Sequence, residues 1–203
     1  MTSSLFRARE TLLEDRVRGC RVTLEEGFLS PDEAHTWMCR LAVELPFERE
    51  APVMFGRPIP VRRASCAIGE PGARYRYAGV QREALPWPTG FEPLRARIEQ
   101  AAGARFDFAL CNRYDDGEVA MGWHADDERE LVPDAPIASL SLGAARAFAL
   151  RLGREGPACV TVTLAPGSLL VMEGATQRHY QHRVPPRKAC REARINLTFR
   201  CLS

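Results

Sequence analysis

The sequence predicts an α+β fold that is mainly β, and three observations carry that prediction. Helix signals occur only in the first half of the chain. From Phe106 onward, short apolar or alternating runs follow one another, punctuated by Gly, Pro and Asp, as in an antiparallel sandwich or barrel. No internal repeat or low-complexity linker divides the chain, and 203 residues at 45% hydrophobic content fit one domain with a real core. The expected layout is a single domain, with residues 1–105 as an N-terminal extension and residues 106–203 as the β-core.

Taken in order, residues 1–18 are polar with scattered apolar positions and are expected to be loosely attached. VTLEEGFL (22–29) reads as a strand entering a helix. SPDE (30–33) starts that helix: Ser30 caps it, Pro31 takes the first helical position and Glu33 closes a capping box. Pro46 stops it near Leu45. VMFGRPIPV (53–61) reads as a hairpin around Gly56, and ARYRYAGV (73–80) as a short strand. FEPLRARIEQAA (91–102) has helical periodicity. The strands of the β-core are then FDFALCNRY, PIASLSLG, RAFALRLG, ACVTVTLAPG, SLLVMEG, HYQHRV and ARINLTFR.

A net charge of +2 neither demands nor excludes a polyanionic partner. Lys188 is the only lysine among 28 basic residues. A genome-wide codon bias explains that most simply, although arginine also forks carboxylates and phosphates better than lysine. The seven cysteines are odd in number and widely spaced, with no CxxC. There is no secretory signal, and no apolar run approaches the roughly 18 residues of a membrane span. These features predict a monomeric intracellular protein with free thiols and no membrane partner, placed in the cytoplasm if bacterial or the nucleus if eukaryotic.

The chemistry begins in MGWHADDERE (121–130). His124 and Asp126 are two residues apart, so in a strand both project to one side. An imidazole and a carboxylate side by side offer two ligands for a mononuclear metal, and a third is needed. His35 lies on the first helix beside Trp37 and Met38. His179 and His182 lie in QRHYQHRV, after the strand SLLVM, where a jelly roll would bring the chain back. Two histidines and a carboxylate with open positions suit non-haem Fe(II). In RINLTFR (194–200), Ile195, Leu197 and Phe199 alternate with Arg194, Asn196, Thr198 and Arg200. If that polar face turns inward, its arginines need an anion, and with a metal they would clamp a dicarboxylate. Asn112 and Tyr114 share a face by the same period.

Together, NRY…GWHADDEREL…PIASLSLG…HYQHRVPPRK…RINLTFR resembles the AlkB family of Fe(II)/2-oxoglutarate dioxygenases, closest to its DNA-repair members. The resemblance runs from about Met54 to Arg200. It implies a double-stranded β-helix (jelly-roll) core, with a nucleotide-recognition lid formed by the N-terminal helices and hairpin. It implies Fe(II) ligands at His124, Asp126 and His182 (His182 rather than His179), with 2-oxoglutarate and O₂ as co-substrates. Arg194 would take the distal carboxylate of 2-oxoglutarate, and Arg200, Asn112 and Tyr114 would hold the end near the metal. The implied activity is oxidative removal of N-methyl groups, as in 1-methyladenine and 3-methylcytosine, from single- or double-stranded DNA, releasing formaldehyde, succinate and CO₂.

For the substrate, the resemblance places Tyr75 and Tyr77 around a flipped base and Asp127 and Glu128 at its polar edge. Met54 and Phe55 would act as a wedge in the vacated stack, flanked by Arg57, Arg62 and Arg63. Arg183, Arg187, Lys188 and Arg191 resemble a phosphate-contacting segment. Two departures stand out: Ile68 occupies a position where the duplex-acting type carries an aromatic residue, and the turn GREGP (153–157) is short. The same chemistry on RNA or nucleotides, a nucleic-acid-binding module with a vestigial metal site, and a zinc hydrolase are the competing expectations.

Overall fold

The computed structural model describes residues 9–49, 53, 54, 57, 58, 62–77 and 80–203; for 53, 54, 57, 58, 75–77 and 80–82 it describes the backbone alone. The chain forms β1 (Glu10–Asp15), β2 (Cys20–Glu25), α1 (Pro31–Glu44), β3 (Glu48–Arg49), β4 (Val53–Met54), β5 (Arg57–Pro58), β6 (Ala64–Gly69), β7 (Arg74–Tyr77), β8 (Val80–Glu83), β9 (Leu85–Pro86) and α2 (Glu92–Ala102). It continues with β10 (Phe108–Tyr114), β11 (Met121–His124), β12 (Ile137–Gly143), β13 (Arg146–Leu152), β14 (Val160–Leu164), β15 (Leu169–Gly174), α3 (Thr176–His179), β16 (Tyr180–Val184) and β17 (Arg194–Arg200).

Two antiparallel layers build the jelly roll. The major sheet has nine strands along the path β1-β2-β15-β12-β17-β10-β6-β3, with β9 added alongside β6. The minor sheet has four, in the order β11-β16-β13-β14. Strands β4 and β5 pair as the expected hairpin, and β7 pairs with β8.

Helices α1 and α2 cover the outer face of the major sheet. Ser30 accepts a hydrogen bond from the Glu33 amide at 3.2 Å, so the cap forms as the sequence signals. In α2, Leu94, Ile98 and Ala102 recur every four residues and are all buried. Gly103 ends that helix at φ 67°, a left-handed conformation that costs other residues strain. On this side Ile195, Leu197 and Phe199 of β17 join Leu140, Leu142 and Phe106 in one apolar cluster. The other face of the same strands turns toward the minor sheet and a second cluster of Val22, Leu24, Phe148, Leu150, Leu170 and Met172. β17 is therefore buried on both faces, yet one of them is polar.

Two expectations need correction, and one strand carried no signal in the sequence. Residues 10–15 are not loosely attached, because they form β1 and pair along β2. The major sheet draws β1, β2 and β6 from before residue 105, so the β-core does not begin at residue 106. Strand β6, buried along all six residues, went unread because ASCAIG lacks the alternation that marks a half-buried strand. Among the described residues, no helix is long and apolar enough to cross a membrane.

Candidate active site

Strands β11 and β16 and the loop after β11 bring the chemistry together. On β11 and β16, His124 and His182 are register partners across an antiparallel pair, with ring centroids 4.2 Å apart. Asp126 enters from the loop after β11. Candidate ligand atoms of the three residues all lie within 4.8 Å of one another. His179 sits at the end of α3 and is not part of the group.

Each side chain is oriented by its surroundings. His124 Nδ1 lies 2.9 Å from the Gly122 carbonyl. A carbonyl only accepts, so Nδ1 donates and Nε2 is the nitrogen left to face a metal. Burial drives the His182 pKa down to about 3, with His124 adding to the effect, so its imidazole is neutral, as a ligand must be. Burial would raise the Asp126 pKa, but Arg200, His182 and His124 outweigh it and hold the carboxyl well below its usual range. Arg200 Nη2 stands 2.8 Å from Asp126 Oδ2. The other oxygen, Oδ1, is buried, has no hydrogen-bond partner and lies 3.7 Å from His124 Nε2. An unpartnered buried carboxylate oxygen is costly unless something cationic occupies the space it faces.

The polar face of β17 supplies the neighbouring wall. Arg194, Asn196, Thr198 and Arg200 line one cavity with Asn112, Tyr114, His124, Asp126 and His182. Arg194 is 1% exposed and donates from Nη2 to Ser141 Oγ at 3.0 Å, while its Nε and Nη1 have no hydrogen-bond partner. Burial lowers its pKa from the usual arginine value. Asn112 Oδ1 is likewise buried and unpartnered. Met121, Phe148, Leu164 and Val184 close the cavity with apolar surface.

Sequence reasoning missed Arg146. It is 1% exposed and donates to the carbonyls of Asp116, Gly117, Val119 and Pro185, at 2.8 to 3.4 Å. It thereby ties the loop entering β11 to the turn leaving β16, the two strands that carry the histidines. The Arg146 and Arg194 guanidiniums both lie over the Tyr114 ring, 5.6 and 5.2 Å from its centroid. The clue was in RAFALRL, where alternation puts Arg146 on the same side as Phe148 and Leu150. At Gly117 an added Cβ would meet the Arg187 carbonyl oxygen at 1.8 Å, so only glycine permits this close approach of loop and turn.

The expected substrate residues fare differently. Asp127 and Glu128 line an adjoining cavity of about 240 Å³ that also includes Asp126 and Arg200. Arg63 is not a surface arginine; it is 6% exposed, with Nη1 against the sulfur of Met121. Arg62 is exposed but engaged by Glu118 at 2.8 Å and Asp116 at 3.4 Å. Tyr75 and Tyr77 stand opposite Arg82 and Val80 in the β7–β8 register, while Met54 pairs with Arg57 across the hairpin. Their side chains, and Phe55 as a whole, lie outside the described residues.

Residues 21–200 match the 2OG-Fe(II) oxygenase superfamily. The chain belongs to that superfamily. A mouse relative named DNA oxidative demethylase ALKBH2 is 40% identical over 154 residues, which is 72% of this chain and 64% of that protein. A rat relative named Alpha-ketoglutarate-dependent dioxygenase alkB homolog 3 is 38% identical over 191 residues, covering 89% of this chain and 63% of that protein. The chain thus spans a little under two thirds of the length of both. A solved structure of OsALKBH1 aligns with a TM-score of 0.62 at 18% identity, covering 89% of this chain and 96% of that one, a likeness of fold.

The residues present fit the groups this superfamily is named for. Two imidazoles and an ionised carboxylate form the donor set preferred by non-haem Fe(II). The unpartnered Asp126 Oδ1 and the unpartnered nitrogens of Arg194 lie on one cavity, where a cation and a carboxylate would satisfy them.

Proposed function

We propose that this chain is an Fe(II)/2-oxoglutarate-dependent dioxygenase that removes N-methyl groups from bases in DNA, acting as a monomer inside the cell. The carrying observation is the shared cavity, which brings two histidines, a carboxylate and two buried arginines together. The names of the mouse and rat relatives support the choice of chemistry and of DNA.

His124, Asp126 and His182 would hold the iron. Arg194 would take the distal carboxylate of 2-oxoglutarate through the nitrogens that lack partners. Asn112 and Tyr114 would orient the end nearer the metal, while Arg200 keeps Asp126 ionised and aimed. When bound, iron and 2-oxoglutarate supply an oxidant from O₂ that inserts oxygen into an N-methyl C–H bond, with succinate and CO₂ as the co-products. The resulting hydroxymethyl group leaves as formaldehyde and restores the base. The apolar wall of Met121, Phe148, Leu164 and Val184 keeps water from the reacting centre.

The base would enter beside Asp127 and Glu128, which border the adjoining cavity. The sequence motifs support Tyr75 and Tyr77 as its stacking partners, with Met54 and Phe55 filling the gap left in a duplex. Arg63 fits no phosphate contact, since its guanidinium is buried behind the cavity wall.

The test is formaldehyde release from 1-methyladenine oligonucleotides, single-stranded, duplex and RNA, with Fe(II), ascorbate and 2-oxoglutarate. Release that needs both 2-oxoglutarate and Asp126 supports the reading. Release from RNA alone moves the substrate, and no release from any strand overturns the demethylase assignment.

A further inference from the structure

Two of the three proposed metal ligands are held by a sheet, and the third is not. His124 and His182 are fixed by the pairing of β11 with β16, whereas Asp126 lies in the irregular loop after β11. Arg200 anchors the Asp126 carboxylate at one oxygen, but a side chain is aimed only when its backbone is fixed as well. A buried loop residue has no ladder of hydrogen bonds to fix it, and its amide must find another acceptor. Among the described residues the Asp126 amide has one hydrogen-bond partner, Gln177 Oε1 at 2.9 Å.

Gln177 is itself held for that contact. It lies on α3, the single turn between β15 and β16, on the chain that leads to His182. Its other amide atom, Nε2, donates to Met172 Sδ at 3.3 Å. A backbone N–H only donates and a thioether only accepts, so both neighbours require the same orientation of the Gln177 amide. Thr176 beside it is buried and donates to the Glu173 carbonyl, which fixes the turn. Met172 lines the cavity of the histidines, Gln177 lines the adjoining cavity, and Asp126 and Arg200 line both. Gln177 therefore stands in the partition between the two cavities. The next residue gives the comparison: Arg178 pairs with Asp134 farther along the same loop, but its side chain is 63% exposed. An exposed pair of that kind contributes little. Losing the Gln177 bond instead leaves the amide of a buried residue unsatisfied.

We infer that Gln177 is a positioning residue for the metal centre: by holding the Asp126 amide, it sets the direction in which Asp126 Oδ1 faces the two imidazoles. This rests on the metal reading above. Arg200 fixes the far oxygen of the carboxylate, and Gln177 fixes the backbone that carries it. With both in place, Oδ1 has one direction left.

The test compares Gln177→Met, Gln177→Glu and Arg178→Gln with the unaltered protein. Methionine keeps the length of the side chain and removes the oxygen acceptor, while glutamate keeps the acceptor. Hydrogen exchange of the Asp126 amide is followed without metal. Co(II) affinity is then measured by calorimetry and the visible Co(II) band at saturation, with thermal midpoints to confirm folding. Gln177→Met is expected to exchange the Asp126 amide faster, to bind Co(II) about tenfold more weakly and to shift the band. Gln177→Glu is expected to restore slow exchange and the band position. Arg178→Gln is expected to leave exchange, affinity and band unchanged. If Gln177→Met does not fold, Gln177→Asn carries the same expectations, since it is polar but one methylene too short to reach the amide. Unchanged exchange, or unchanged Co(II) affinity and band, in the folded variant would overturn the assignment, as would a Gln177→Glu no better than Gln177→Met. If the unaltered protein takes up no Co(II), the metal reading falls and takes this inference with it. Normal Co(II) binding with an unresponsive Gln177→Met sinks this inference alone.

Discussion

The two sheets of this jelly roll divide the labour unequally. The major sheet is covered by helices on one side and the minor sheet on the other, so its central strand β17 is buried on both faces. Among the described residues the outer face of the minor sheet is the more open one, and β14 alternates exposed and half-buried positions. In the proposed reading the major sheet would contribute the anion-holding groups, Arg194, Arg200, Asn112 and Tyr114. The minor sheet contributes the two imidazoles. The desolvated charges sit on the layer buried on both faces, while the two imidazoles sit on the thinner one. Asp126 joins the two, hydrogen-bonding to Arg200 of the major sheet while standing beside both histidines of the minor.

The largest effect should come from cutting that joint. Asp126→Ala removes a ligand and leaves Arg200 buried without its carboxylate. Turnover should vanish, and urea unfolding should show a loss of about 3–5 kcal/mol, as when one partner of a buried pair is removed. Phe199→Ala attacks the helix side of the major sheet instead, where its ring lies within 6.2 Å of Trp87, Phe91 and Phe106. A similar loss of about 3–5 kcal/mol is expected from the cavity. The fraction that remains folded should still bind Co(II), because no ligand has changed. Loss of Co(II) affinity in folded Phe199→Ala protein would break the division between the layers.

A smaller effect is expected where the minor sheet meets the edge of the major one. Tyr180 on β16 donates to Asp15 Oδ2 at 2.8 Å. Burial first, and then Asp15, raise the Tyr180 pKa to about 12 from 10. The folded state therefore holds the phenolic proton more tightly than the unfolded chain. The stabilisation is fully present below pH 10 and fades as pH rises toward 12. Unfolding free energies should show this alkaline decline in the unaltered protein and a weaker one in Tyr180→Phe. The smallest effect is at the helix cap far from the site: Ser30→Ala should cost about 1 kcal/mol, with turnover unchanged.

Much of this was legible because the alternation of β17 is unusually clear. Ile195, Leu197 and Phe199 against Arg194, Asn196, Thr198 and Arg200 state both a buried strand and a polar inner face. The pairing of His124 with His182 was harder, since nothing local links residues 58 positions apart; the family resemblance chose between His179 and His182. Strand β6 was invisible because small apolar residues on both faces leave no period to detect. Arg146 was passed over and the burial of Arg63 was not foreseen for one reason: a sequence shows that a residue is charged but not that backbone carbonyls or a sulfur wait for it inside.

The central claim is that the minor sheet and Asp126 hold the metal while the major sheet holds the co-substrate. The direct measurement is calorimetric titration of Co(II), then of 2-oxoglutarate, into the unaltered protein, His182→Ala and Arg194→Ala. The account predicts that Arg194→Ala keeps its Co(II) affinity and loses 2-oxoglutarate, while His182→Ala loses both. Retained 2-oxoglutarate affinity in Arg194→Ala, or retained Co(II) affinity in His182→Ala, would contradict it.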